Sequence, residues 1–138
     1  MIKELIHDEA ALQQVAEPAT ADDAALGQDL VDTMKSLDDC ACLAANQIGA
    51  NKAVVAFEAK GRIHVMYNPK ILAGMKPFKT VEGCLSLEGT SNVKRFQTVR
   101  VSFQELVGDQ LVPRTRTFQD WTAQCVQHVI DHCQGKLV

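Results

Sequence analysis

The C-terminal part of the chain carries two histidines that are spaced for metal binding. His128 and His132 lie four positions apart in the run Gln127-His128-Val129-Ile130-Asp131-His132. In an α-helix, side chains at positions i and i+4 share one face about one turn apart, so both imidazoles can reach one ion. The same spacing also occurs in helices whose two histidines are simply partly exposed, and the pair alone leaves both interpretations open.

A third candidate ligand is Cys84, which follows a glycine in the run Glu82-Gly83-Cys84-Leu85-Ser86. We predict that this run is a short segment between two strands. One thiolate and two imidazoles form a three-ligand set that leaves a coordination position for water, as catalytic zinc sites do. A metal ion held in this way lowers the pKa of its water and polarises a substrate carbonyl. Cys84, His128 and His132 are therefore candidate ligands of a catalytic metal.

Three motifs, in this order, resemble those of the peptide deformylase family. The family patterns are Gly-Φ-Gly-Φ-Ala-Ala-x-Gln with Φ apolar, then Glu-Gly-Cys-Φ-Ser, then His-Glu-x-x-His with Asp before the second His. The chain has Cys40-Ala41-Cys42-Leu43-Ala44-Ala45-Asn46-Gln47, then Glu82 to Ser86 unchanged, then His128 to His132. The similarity extends from about Leu26 to the C-terminus. The resemblance implies mostly antiparallel β-sheets around a C-terminal metal-binding helix, with an N-terminal helix.

The resemblance also implies a role for each matching residue. Cys84, His128 and His132 would bind iron(II) or zinc. The Gln47 side chain and the Leu85 backbone N–H would face the formyl carbonyl oxygen, where donors stabilise the charge of a tetrahedral intermediate. The implied substrate is an N-formyl-methionyl peptide or a related small amide.

Three charged residues would support the ligands if the resemblance holds. Glu82 would pair with Arg95, and Asp131 would help to orient the histidines. The alternative for all three is that they are ordinary surface charges.

The match breaks at Val129, where the family has the glutamate that acts as general base. Valine has no group that accepts a proton, and positioned acid–base groups contribute about 10²–10⁴ to a rate. Val129 follows Trp121 and Cys125 at four-residue steps, which predicts an apolar helical stripe. We therefore expect weak or lost deformylation.

The first motif departs as well, because Cys40 and Cys42 stand where the family has glycines. Glycine permits positive φ and close backbone approach, and a Cβ excludes part of that freedom. The sequence leaves the role of these two cysteines open, including metal binding or a response to oxidants.

The elements that must position these residues are readable from local patterns. Thr20 and Asp23 predict a capped helix start, with the helix ending near Leu37. Val54–Phe57 and Ile63–Tyr67, joined by Lys60-Gly61, predict a hairpin. Gln97–Leu106, Gly108-Asp109 and Leu111–Thr117 predict a second one. Thr117 and Asp120 predict the start of the last helix, and Gly135 its stop. This order indicates a single α+β domain over residues 1–138.

Composition limits the classes of function. The chain of 138 residues has a net charge of −3 and no Lys/Arg run, which does not suggest nucleic-acid binding. It has no apolar stretch long enough for a signal peptide or a membrane span. Five cysteines, an odd number without an export signal, indicate reduced thiols and a cytoplasmic protein. The short tail after the last helix gives no support for ribosome association.

Four functions stay open at this point. The first is a peptide deformylase that acts on new polypeptides, slowly or by an altered proton route, and the second is a non-catalytic metal- or peptide-binding relative with a regulatory role. The third is a hydrolase of another small amide or ester. The fourth is a protein whose metal-ligand set is vestigial. The missing glutamate favours the second over the first. The retained ligands, Gln47 and Glu82 favour metal-centred chemistry over pure scaffolding.

Overall fold

The computed structural model describes residues 1–138 as five antiparallel strands with helices on either side of the strand region in sequence. The helices are α1 (Glu9–Leu12), α2 (Ala24–Ser36) and α3 (Asp120–Cys133), and 3-10 helices cover Ala21–Asp23 and Ala45–Ile48. The strands, in their order in the sheet, are β1 (Cys42–Ala44), β2 (Val54–Ala59), β3 (Arg62–Cys84), β4 (Leu87–Val107) and β5 (Gln110–Gln119). This architecture confirms the predicted α+β fold.

Both predicted hairpin turns are confirmed. Lys60 and Gly61 have φ values of 53° and 76° and join β2 to β3. Two positive φ values in a two-residue loop are typical of the type I′ turn, whose twist matches the twist of paired strands. Gly108, with φ 64°, and Asp109 join β4 to β5, and a glycine with positive φ at the first position of a two-residue loop is typical of the type II′ turn.

The helix predicted to start at Thr20 begins at its predicted cap. Asp22 N–H donates to Thr20 Oγ1 over 3.2 Å, and Thr20 N–H donates to the Asp23 carboxylate over 2.9 Å. The capping box lies at the start of the 3-10 helix Ala21–Asp23, which leads directly into α2. The helix ends at Ser36, one residue before the predicted end at Leu37.

The strand prediction for Ile63–Tyr67 was too short, because β3 continues to Cys84. Asn68 has a φ of 53°, and the pairing of β3 with β4 shifts between Tyr67 and Lys70. Asn68 and Pro69 thus form an irregularity inside the strand, where an extra residue bends a ladder without ending it.

The prediction that Glu82–Ser86 lies between strands was wrong for its first three residues. Glu82, Gly83 and Cys84 are the last residues of β3 and pair with Ser91, Thr90 and Leu87 of β4. Only Leu85 and Ser86 form the turn. Cys84 is therefore held by strand pairing at the tip of a long hairpin.

The predicted start of the last helix was wrong by three residues. Thr117 lies in β5 opposite Arg100, and α3 begins at Asp120 without a side-chain cap. The predicted stop is confirmed: Gly135 has a φ of 76°, and its N–H donates to the His132 carbonyl over 3.1 Å.

The sheet buries apolar side chains on both faces. Along β2, Val55 and Phe57 pack into a cluster that includes residues of α3, whereas Val54 and Ala56 pack into a cluster that includes residues of α2. Alternate residues of a strand point to opposite faces, so one short strand serves both clusters. No helix is both long and apolar enough to cross a membrane. Packing in the first cluster fixes α3 against the sheet and thereby positions its two histidines.

Candidate metal centre

Cys84, at the end of β3, meets the two histidines of α3. Its Sγ lies 3.4 Å from His132 Nε2, and His132 Nε2 lies 3.2 Å from His128 Nε2. All three donor atoms lie within 4.8 Å of one another. His132 is fully buried and His128 is 7% exposed. The hairpin tip and the helix thus converge on one point.

The chemistry and spacing of this group fit a divalent metal ion. A tetrahedral ion about 2.0–2.3 Å from sulfur and nitrogen donors separates those donors by about 3.3–3.6 Å. The separations of His132 Nε2 from Cys84 Sγ and from His128 Nε2, 3.4 and 3.2 Å, are close to this range. Three protein donors leave a coordination position for water or substrate. The group could therefore bind a metal ion in the open form that catalysis uses.

A buried charge network stands behind the histidines. Glu82 Oε1 lies 2.9 Å from His128 Nδ1. Arg95 donates to both oxygens of Glu82, over 3.0 and 2.7 Å, and to Asp131 over 2.5 Å. Glu82 is 8% and Arg95 4% exposed, so neither is a surface charge. A fork of this kind fixes the carboxylate plane and, through it, the ring of His128.

The network shifts three pKa values. Burial alone would raise the pKa of Glu82, but hydrogen bonds from His128 and Arg95 bring it down to about 2. Burial also opposes ionisation of Cys84, yet hydrogen bonds from His128 and His132 lower its pKa to about 6. Burial would lower the pKa of His128, but Cys84 and Glu82 raise it to about 9. The site therefore favours a thiolate at neutral pH.

Gln47 points its amide group at the same place. Its Oε1 accepts a hydrogen bond from Ala44 N–H over 2.9 Å, which fixes the orientation of the amide. Its Nε2 lies 3.3 Å from Ser86 Oγ and 3.5 Å from Cys84 Sγ. Leu85 stands between these two residues in the hairpin turn. The two predicted oxyanion donors thus belong to segments that flank the candidate ligands.

Comparison with known proteins shows the family. A family model described as polypeptide deformylase matches residues 3–138. A peptide deformylase of Clostridium beijerinckii is 37% identical over 139 residues, which cover all of both chains. The chain belongs to the peptide deformylase family. Among solved structures, a Legionella pneumophila peptide deformylase superposes with a TM-score of 0.86 at 30% identity, over 99% of this chain and 83% of that one.

A second solved structure contains a peptide. This class I type b deformylase of Acinetobacter baumannii, bound to Met-Ala-Ser, has a TM-score of 0.87 at 25% identity. The superposition covers 99% of this chain and 97% of that chain. The deformylase fold therefore extends over nearly the whole chain.

Val129, which we predicted to replace the family's general base, lies in the apolar core. It is fully buried in the cluster that joins α3 to the sheet. Cys125 is also buried, but Trp121 is 62% exposed, so the predicted stripe of Trp121, Cys125 and Val129 was wrong at its first member. The Val129 side chain is part of the packing between helix and sheet.

A cavity of about 230 Å³ opens beside the candidate ligands Cys84 and His128. Its wall includes Trp121, Gln124 and Cys125 from α3, together with Cys40 and Cys42. Our sequence reasoning missed Gln124 as a wall residue. Its signal was available, because positions 121, 124, 125 and 128 follow the spacing of one helical face. The side chains on this face set the shape of any bound ligand.

Gln127 is a further residue that sequence reasoning missed. Its Nε2 donates to the Phe96 carbonyl and its Oε1 accepts from the Phe96 N–H, each over 2.8 Å. This pair of bonds ties α3 to β4 one residue before His128. No sequence pattern indicates it, because the partner is 31 positions away.

Zinc affinity is expected to rise with pH. Between the pKa of Cys84, about 6, and that of His128, about 9, the free site holds one proton that a metal must displace. The apparent association constant should therefore increase by about tenfold per pH unit across this window and level off above it. Competition with a chelator of known pH dependence measures the slope. A flat profile from about pH 6.5 to 8.5 contradicts the assigned protonation states.

Replacing Arg95 with methionine is expected to lower the free energy of unfolding by about 3–5 kcal/mol, because it leaves the Glu82 carboxylate buried without its cation. The matched control is Arg114→Met, which breaks a pair with Glu105 whose side chains are 45% and 51% exposed. Exposed pairs contribute about 0–1 kcal/mol. Urea denaturation compares the two variants. Equal losses in both would show that the buried network carries no special stability.

Proposed function

We propose that the protein is a metal-dependent hydrolase of N-formyl-methionyl peptides, with iron(II) or zinc as its metal and with slow turnover. The observation that carries this proposal is the convergence of Cys84, His128 and His132 beside Gln47 Nε2. Membership of the deformylase family and the Met-Ala-Ser complex of a structural relative support the peptide substrate. New polypeptides in the cytoplasm would be its source.

The residues divide into binding and polarising roles. Cys84, His128 and His132 would hold the metal, which when bound supplies a Lewis acid for the formyl carbonyl and a water of lowered pKa. Gln47 Nε2 and the Leu85 N–H would donate to the carbonyl oxygen as it gains negative charge. The apolar and thiol-rich cavity beside the ligands would take the side chain of the terminal residue.

Proton transfer is the weak step of this proposal. The family's glutamate accepts the proton of the attacking water and passes it to the leaving amine, and Val129 can do neither. Glu82 does not replace it, because its pKa of about 2 makes it a poor base and Arg95 occupies both of its oxygens. A deficit of about 10²–10⁴ in rate follows.

A second function is favoured by the burial of Val129. A binding module for formylated peptides needs the cavity and the polarising groups but no base. Formate release from N-formyl-Met-Ala-Ser by metal-loaded protein separates the two functions, with the N-acetyl peptide as a substrate control. Slow release above that of Cys84→Ser supports the hydrolase. Binding of the formyl peptide with no release above that background supports the module and contradicts the hydrolase.

A further inference from the structure

Asn46 is a buried neighbour of the metal ligand His132 and has no role in the chemistry proposed above. It is 5% exposed and lies in the 3-10 helix Ala45–Ile48. Its Nδ2 donates to the backbone carbonyl of His132 over 3.0 Å. A carbonyl only accepts, so this bond fixes which end of the amide faces His132 and turns Oδ1 elsewhere.

Two polar atoms of these two residues have no hydrogen-bond partner. They are Asn46 Oδ1 and His132 Nδ1, and the only other such buried side-chain atom in the protein is Asn51 Oδ1. A buried polar atom left without a partner costs about 1–3 kcal/mol. Two such atoms on residues that already touch each other therefore indicate a shared partner.

The two atoms are chemically complementary when His132 acts as a ligand. Its Nε2 faces Cys84 Sγ and His128 Nε2, so this nitrogen must be free of a proton to bind metal. The ring proton then sits on Nδ1 and makes it a donor. Asn46 Oδ1 is an acceptor. One buried water between them satisfies both, since such waters make two to four hydrogen bonds.

We propose that Asn46 is a positioning residue for His132: through one buried water it accepts the Nδ1 proton and fixes the tautomer and ring orientation that present Nε2 to the metal. The inference rests on the metal site proposed above. The two histidines are then supported by different groups: Glu82 orients His128 through a carboxylate, and Asn46 orients His132 through a neutral amide. The Asn46 amide therefore adds no negative charge next to the His132 ring.

The test compares three variants with the wild type. Asn46→Leu removes both hydrogen-bonding atoms at similar size. Asn46→Asp keeps an oxygen acceptor but loses the donor to the His132 carbonyl. Asn51→Leu is the matched control, since it removes a buried amide oxygen that also lacks a partner. Nitrogen-15 spectra of the four histidine side chains report the tautomer and the exchange of each ring proton, and a zinc titration reports affinity.

The expected result separates Asn46→Leu from the other two variants. It should lose the slowly exchanging Nδ1 proton of His132 and bind zinc about 10–100-fold more weakly, whereas Asn46→Asp and Asn51→Leu keep both properties. A protected Nδ1 proton in Asn46→Leu overturns the inference. An equal loss of zinc affinity in Asn46→Asp also overturns the inference. That variant keeps the acceptor oxygen and loses only the hydrogen bond to the His132 carbonyl, so the effect would come from this backbone contact alone. If zinc-loaded wild type shows the protected Nδ1 proton of His132 but releases no formate from N-formyl-Met-Ala-Ser, the proposed function fails while this inference stands.

Discussion

Replacing Val129 with glutamate is expected to raise turnover of an N-formyl-Met peptide by about 10²–10⁴-fold over the metal-loaded wild type. The substitution supplies a proton acceptor one residue after the candidate ligand His128, where the resemblance to the deformylase family places the general base. The other parts of the site stay in place. The gain should appear in kcat, because the restored group acts on the transition state and adds little to substrate binding.

The burial of Val129 means that a glutamate at this position can destabilise the fold. Its side chain is fully buried in the cluster between α3 and the sheet, so a glutamate must turn its carboxylate towards the cavity or lose stability. Val129→Gln is the matched control, since glutamine is polar and nearly the same size as glutamate but its amide does not act as a base. Urea denaturation of both variants shows whether the fold tolerates the change. Efficient turnover by the wild type itself, with no gain from glutamate, would show that another group moves the proton.

Removing a candidate ligand is expected to weaken zinc binding more than about 100-fold, which exceeds the effect of losing a residue that only supports a ligand. Cys84→Ser replaces the thiolate with a poor ligand, and His132→Ala removes a nitrogen that lies 3.4 Å from that sulfur. Cys133→Ser is the matched control, because burial raises the pKa of this thiol to about 12 and it lies outside the triad.

The measurement is zinc stoichiometry and affinity for each purified variant at fixed pH. Wild type and Cys133→Ser should retain one zinc ion, while Cys84→Ser and His132→Ala should lose it under competition from a moderate chelator. Retention of zinc by both ligand variants would place the metal somewhere other than this triad.

The parts of the site that could be predicted are those encoded by short spacings. His128 and His132 are one helical turn apart, so their convergence follows from the helix itself. The capping box at Thr20 and the turn at Lys60-Gly61 are likewise local, and the structure confirms them. Cys84 was a candidate ligand by its residue type and its motif, but no rule of spacing places it beside His128, which is 44 positions away.

The parts that could not be predicted depend on contacts between distant segments. The outer halves of β3 and β4 are largely exposed and show no regular alternation of apolar and polar residues, which is the mark of a half-buried strand, so their length was missed. Thr117 matches a helix cap by spacing, but pairing with β4 holds it in a strand. The contact of Asn46 with the His132 carbonyl spans 86 positions and has no signature in the chain.

Loading the purified protein with cobalt(II) tests directly whether Cys84, His128 and His132 form a metal centre for formylated peptides. We expect one cobalt ion per chain, with a sulfur-to-metal charge-transfer band from Cys84 and visible bands of a tetrahedral ion. Addition of N-formyl-Met-Ala-Ser at millimolar concentration should shift the visible bands, since the peptide carbonyl would enter the open position. A protein that retains no cobalt, or a spectrum that the peptide leaves unchanged, would contradict a metal centre built for formylated peptides.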